Sequence, residues 1–214
     1  MINQIINYFQ TSSGEYWGYV GQHLFLSFTS LIIAMIIALP LGYLGSRNRF
    51  VAQFCQTFSQ LLRIIPSLAL LFILIPFIGT GYTPALIALV VLALPPLFVN
   101  TILGFNEVSP TLKEVGLSLG MNQTQLLKQI TFPLALPYIL NGIKLALVEV
   151  IASATLATYI GAGGLGTLIF TGLGLYKIQY VVIGAVSVAL LSLISMILLD
   201  LAIRKVRENE QFNY

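Results

Sequence analysis

The chain has 214 residues, of which 57% are hydrophobic and 8% charged, with a formal net charge of +3. Soluble domains carry about a quarter charged residues, so this composition excludes an ordinary soluble fold and leaves room for about five membrane spans of about 20 residues each. The ten Lys and Arg residues fall in short clusters between apolar runs and form no stripe, so they read as topology determinants and exclude a nucleic-acid partner.

The N-terminal segment lacks the basic start of a secretory signal, and no processing is expected. Ile2, Ile5, Ile6 and Phe9 recur at helical spacing, which predicts a short amphipathic helix on the outer membrane surface, followed by Tyr16, Trp17 and Tyr19 as an interfacial belt. The first span is expected over about 23–44, with His23 at its interfacial edge, and ends in the basic turn Gly45-Ser46-Arg47-Asn48-Arg49. The second, about 51–78, contains Cys55, Arg63 and Pro66 and is expected to tilt or kink. Cys55 is the only cysteine, so neither a disulfide framework nor a thiolate metal cluster is available.

A third span, about 84–105, carries Pro95-Pro96 at its centre and is expected to kink and to be enclosed by protein. The fourth and fifth are expected over about 138–160 and 180–201, separated by a glycine-rich stretch. Together they predict an all-α membrane protein of five transmembrane helices in one domain. In that arrangement Arg47, Arg49, Lys113, Lys128, Arg204, Lys205 and Arg207 share one side and Lys177 alone the other. The basic side is cytoplasmic, which puts the N-terminus outside and the C-terminus inside the plasma membrane. Asp200 and Arg204 are spaced as a helical ion pair at the inner boundary.

Between the third and fourth spans, residues 106–133 are polar and form a cytoplasmic loop. Ser109-Pro110 opens a first helix and Gly120 closes it; Asn122 with Gln125 forms a capping box for a second, which Phe132-Pro133 is expected to stop. Leu112, Val115 and Leu119 share one face, and Leu126, Leu127 and Ile130 another. Helices this short are marginal alone, so they must pack on something: the membrane surface, their own bundle or another protein.

The loop reads Glu114-Val115-Gly116, with Gly120 six residues after the glutamate, Ile130 sixteen after it and Phe132-Pro133 at eighteen and nineteen. This spacing resembles the E-A-A loop of bacterial ABC-importer permeases of the binding-protein-dependent, type I family. Val115 and Gly116 replace its two alanines and Phe132 its leucine. The resemblance implies a type I permease bundle in which Glu114, Gly120, Ile130 and Pro133 belong to an ATPase-coupling loop. It also implies separate ABC ATPase subunits holding ATP and Mg, a second permease copy or paralogue, an extracellular substrate-binding protein, and no cofactor or catalysis in this chain. The resemblance extends to Arg63-Ile64-Ile65-Pro66-Ser67-Leu68-Ala69-Leu70-Leu71 in the second span, and within the family the chain looks closest to osmoprotectant permeases for glycine betaine, carnitine or choline, on Ala154-Thr155-Leu156-Ala157 leading to Gly161-Ala162-Gly163-Gly164-Leu165-Gly166. Methionine-importer permeases share the Gly161-Ala162-Gly163-Gly164-Leu165-Gly166 stretch.

That stretch also satisfies G-x-G-x-x-G, but no βαβ pattern surrounds it, and a turn is the better reading. No phosphate loop exists in the sequence, so the chain is not itself the ATPase. Three charges fall within spans. Lys144 is near enough to the inner end to snorkel. Arg63 and Glu149 lie at similar depth and are expected to pair, to share a polar cavity, or to be satisfied separately, and Glu149 could also attract a cationic substrate. Glu149 shares a helical face with Gly142, Ala146, Ser153 and Ala157, small residues that admit a neighbouring helix. An ion-gradient carrier using Arg63, Lys144 and Glu149 as a relay, and a membrane scaffold without transport, are the rival classes. Five spans without a visible repeat count against the carrier.

Overall fold

In a computed structural model, residues 2–211 are described and form α1 (Ile2–Arg47), α2 (Arg49–Ile64), α3 (Ser67–Ile78), α4 (Tyr82–Glu107), α5 (Pro110–Ser118), α6 (Gln123–Leu126), α7 (Phe132–Leu156), α8 (Gly166–Gly174) and α9 (Ile178–Gln211). A π turn, Leu127–Thr131, joins α6 to α7, and a 3-10 turn, Ala157–Ile160, follows α7. By length and hydropathy, four helical stretches can cross a membrane, and a fifth if α2 and α3 count as one bent span. A helix satisfies every backbone group within its own segment, which is why apolar runs of this length adopt it in lipid.

The boundaries depart from the sequence pattern in instructive ways. The amphipathic N-terminal segment and the first span are joined within α1 across a kink in the polar stretch Thr11-Ser12-Ser13-Gly14-Glu15. Its only break in backbone geometry is Ser12 (φ −131°, ψ 22°), just after Thr11, whose hydroxyl donates to the Asn7 carbonyl at 2.8 Å. Such back-bonding competes with the helical ladder and bends it. His23 sits inside α1 and is fully buried.

The second span is interrupted, not merely kinked. The helix stops at Ile64, and Pro66 (φ −58°, ψ 136°) caps the start of α3. Proline lacks the donor the ladder needs and drives the residue before it to extended geometry. In α4 the pair Pro95-Pro96 causes no such interruption: the helix runs on, Asn100 Nδ2 donates to the Pro96 carbonyl at 2.8 Å, and this is the most enclosed of the four spans.

The chain divides into two compact units. The first comprises the chain up to Ile33, then Ile64–Ala93 and Leu147–Ser195. Its core gathers Tyr8, Val20, Leu165, Leu168 and Ile183, with Tyr16, Tyr19 and Tyr180 packed around them. The N-terminal segment is thus held by Tyr8 against α8 and α9, while Ile2, Ile6 and Phe9 remain exposed. The second unit comprises Ala34–Arg63, Leu94–Ala146 and the chain from Met196. Phe105, Ala135 and Ile139 form its core with Leu39, Tyr43, Leu127 and Ile143. Small residues let its helices touch: a Cβ on Gly104 would meet the Ala135 carbonyl at 2.8 Å, and one on Gly142 the Pro96 carbonyl at 3.0 Å.

Candidate functional site

The polar loop forms a helical hairpin in the second unit. Pro110 occupies the first position of α5, where its missing donor costs nothing, although the Ser109 hydroxyl makes no capping bond. Lys113 Nζ reaches back 3.4 Å to the Phe105 carbonyl in the last turn of α4, where a cation is favoured. After α5, Gly120 adopts φ +83°, its N–H donates to the Leu117 carbonyl at 3.0 Å, and the Met121 N–H donates to the Gly116 carbonyl at 3.1 Å. Those two bonds make a Schellman stop, which favours a residue free to adopt the left-handed conformation.

The capping box then forms as the spacing requires. Asn122 Oδ1 accepts from the Gln125 N–H and Gln125 Oε1 from the Asn122 N–H, each at 2.9 Å. Phe132-Pro133, however, does not stop the second helix. The π turn carries the chain from α6 into α7, with the Phe132 N–H donating to the Leu127 carbonyl. A register already switching to a wider turn leaves space for the Pro133 ring that a regular α ladder would not.

Of the four residues assigned to this loop, Glu114 and Gly120 lie exposed on the hairpin, while Ile130 and Pro133 are half-buried and hold its base. Gly116 is buried against Leu126 and Ile130: a Cβ there would meet their Cδ1 atoms at 2.7 and 3.0 Å. The hairpin's inner contact is therefore Gly116 with Leu126 and Ile130. Outward it presents Val115, 50% exposed, Leu119, 76% exposed, and Leu117, which the helical-face count had not included. Leu117 was legible only once the inner face was known, since no spacing rule separates two opposite apolar faces on a nine-residue helix.

The charges within spans separate into local environments. Lys144 does not reach for the interface alone: its Nζ lies 2.6 Å from Asp200 Oδ1, so Asp200 partners α7 instead of Arg204 along its own helix. With Lys144 mostly buried, a carboxylate across the helix contact offsets its desolvation better than water at a distance would. Arg63 is exposed in the last turn of α2, a favourable end for a cation. Gly142, Ala146 and Ser153 on α7, and Ala157 at the start of the 3-10 turn that follows, are buried as the small-residue face required, but Glu149 itself is exposed beside it, and Ser153 Oγ lies 3.4 Å from its Oε1. In the second unit Asn141 Nδ2 donates to Asn100 Oδ1 at 3.0 Å, satisfying two amides that sequence reasoning passed over.

The glycine-rich stretch, in the first unit, is a packed turn. Gly161, Gly163 and Gly164 all have positive φ, the Gly164 N–H donates to Gln22 Oε1 at 3.1 Å, and Thr158 Oγ1 donates to the Gly163 carbonyl at 2.8 Å. His23 Nε2 lies 3.0 Å from the Ile151 carbonyl, and its ring packs beneath Gly164. Of the glycines in the dinucleotide-like pattern, Gly161 and Gly163 serve the turn through positive φ, and Gly166 packs on the Thr155 carbonyl.

A permease-shaped chain with a capped polar hairpin between its third and fourth predicted spans has close relatives. Residues 30–208 match the family model "Binding-protein-dependent transport system inner membrane component". The chain is 41% identical over 193 residues to a carnitine transport permease protein of Listeria monocytogenes, covering 90% of this chain and 88% of the relative. It is 37% identical over 205 residues to a glycine betaine/carnitine/choline transport system permease protein of Bacillus subtilis, covering 96% and 94%. An osmoprotectant import permease protein of Salmonella typhimurium is 34% identical over 194 residues, covering 88% and 90%. Among solved structures, a chain of the MetNI methionine ABC transporter in an inward-facing conformation superimposes with a TM-score of 0.77 at 23% identity, covering 89% of this chain and 95% of that one. The fold is therefore that of the type I permeases, and a family match over most of the chain makes this protein a member of the binding-protein-dependent inner membrane components: a multi-pass ABC-importer permease subunit whose ATPase is a separate polypeptide.

Proposed function

We propose that this subunit imports osmoprotectants of the glycine betaine, carnitine or choline type by alternating access, driven through the hairpin around α5 and α6. The observation that carries the coupling role is the hairpin's outward apolar rim, Val115, Leu117 and Leu119, next to the exposed carboxylate of Glu114. An apolar helix surface rimmed by charge suits a helix-in-groove contact. Closure of two ATPase subunits on ATP and Mg would move the hairpins of two permease copies, or of this chain and a paralogue, together. The basic-residue bias supports a cytoplasmic hairpin and C-terminus with the N-terminus outside. Glu149 and Arg63 are the polar candidates for the path.

The substrate class rests on relatives whose names specify carnitine, choline and glycine betaine. A methionine-type amino-acid permease is the second reading, favoured by the structural neighbour. Reconstituted complex should take up labelled glycine betaine, carnitine or choline in competition with methionine, and uptake should cease when the ATPase cannot hydrolyse. Preferred uptake of methionine would replace the substrate assignment; uptake persisting without hydrolysis would remove the mechanism.

A further inference from the structure

Two adjoining cavities in the second unit, neither involved in the coupling rim or in the charges within spans, have opposite chemistry. The first, about 320 Å³, is polar and cationic: Arg47 and Lys113 line it with Tyr43, Ser46, Gln123 and Thr131, and no carboxylate does. Its size is at the lower end of the roughly 300–1,000 Å³ typical of small-molecule sites. Arg47 is preset, its NH1 donating to the Tyr43 hydroxyl at 3.1 Å and its guanidinium 5.6 Å from that ring's centre. The second, about 300 Å³, is apolar, lined by Leu39, Thr101, Phe132 and Ile139, with Lys128 as its only charge. Tyr43, Phe105 and Leu127 line both, so the two spaces meet.

Their order along the helices has a direction. Tyr43 and Arg47 stand where the apolar run of α1 ends, and Phe105 near the end of α4; Leu39 and Thr101 lie one turn further into those same runs. Headgroup-like chemistry is thus at the mouth and hydrocarbon-like chemistry toward the membrane interior. A small soluble anion would use only the first cavity, and a neutral lipid only the second.

We infer that this paired cavity holds one anionic phospholipid, its phosphate between Arg47 and Lys113 and an acyl chain along Leu39, Thr101 and Ile139. Cationic residues near a membrane surface attract anionic headgroups, and Arg matches phosphate geometry in particular. Because Lys113, Gln123 and Leu127 belong to the hairpin or its base, the lipid braces the hairpin against α1 and α4.

The full chain, purified with mixed phosphatidylglycerol and phosphatidylcholine, is examined by native mass spectrometry. One phosphatidylglycerol should be retained per chain in preference to phosphatidylcholine. The double variant Arg47→Gln/Lys113→Gln should weaken retention by about 30-fold, as expected for losing two such contacts, and Arg204→Gln should leave it unchanged. Equal retention of phosphatidylcholine, displacement by millimolar inorganic phosphate, or equal loss in Arg204→Gln would each overturn the proposal. A variant-free check uses phosphatidylglycerol with a photoreactive headgroup on the wild-type chain. Labelling within 110–131 supports the site, and labelling confined to 204–207 refutes it.

Discussion

The glycine turn at 161–166 and the hairpin at 109–133 are both short, turn-rich segments between long helices, yet they are finished in opposite ways. In the turn, the space a Cβ would need at several glycines is occupied by backbone or side chains of the same unit. On the hairpin, a Schellman stop and a capping box satisfy the backbone of the turn, but Val115, Leu117 and Leu119 are left exposed. A segment closed on itself is structural; one whose backbone is satisfied while its apolar side chains are exposed is built to be covered by something else.

The largest test falls on the closed segment. A methyl at Gly166 would land on the Thr155 carbonyl oxygen and Thr158 Oγ1, and a backbone carbonyl cannot swing aside. Gly166→Ala should cost about 3 kcal/mol, lowering the melting temperature in detergent by roughly 10 °C. A shift under 2 °C would show that the turn is not close-packed.

The open segment should respond in assembly and not in folding. Leu119→Glu places a charge where the side chain is already exposed, so chain stability should change by less than about 0.5 kcal/mol. Binding of the partner ATPase, measured by titration in detergent, should weaken by about 30-fold or more if Leu119 sits in the contact. Unchanged binding would remove the hairpin rim from the interface. Asn122→Ala lies between these extremes, because it removes a cap from α6 without touching the rim. It should cost about 1 kcal/mol and speed hydrogen exchange at Gln125 while leaving α4 amides unaffected.

Features governed by local chemistry were legible in the sequence. Gly120 and the Asn122–Gln125 box are decided within a few residues, and the structure forms them as written. The E-A-A-like spacing from Glu114 to Pro133 and the apolar runs were likewise enough to reach the family. What escaped depends on contacts distant in sequence. α8 reads as a loop because Gly166, Gly172 and Gly174 are poor helix formers, and it is helical because Leu165 and Leu168 bury against Tyr8, Val20 and Ile183. The burial of His23 comes from Ile151 and Gly164, both far from it in sequence. The Lys144–Asp200 pair joins residues 56 apart, which no helical spacing rule can find. Proline was ambiguous in each case: it interrupts at Pro66, passes at Pro95-Pro96, and at Pro133 is absorbed by a π turn.

The smallest expected effect sharpens the comparison most, because it sets a second buried glycine against Gly166. At Gly116 the obstacles to a Cβ are Leu126 Cδ1 at 2.7 Å and Ile130 Cδ1 at 3.0 Å, both the far ends of flexible side chains. Relieving such overpacking costs about 1 kcal/mol at the mild end of the usual range. Against that, alanine is favoured over glycine inside a helix by about 1 kcal/mol. The terms nearly cancel, so Gly116→Ala, which restores the alanine of the E-A-A pattern, should shift the melting temperature by less than about 2 °C. If it instead destabilised the chain as much as Gly166→Ala, the hairpin's inner face would have to be as rigid as the glycine turn, and a hairpin that rigid could hardly be the part that yields to a moving partner.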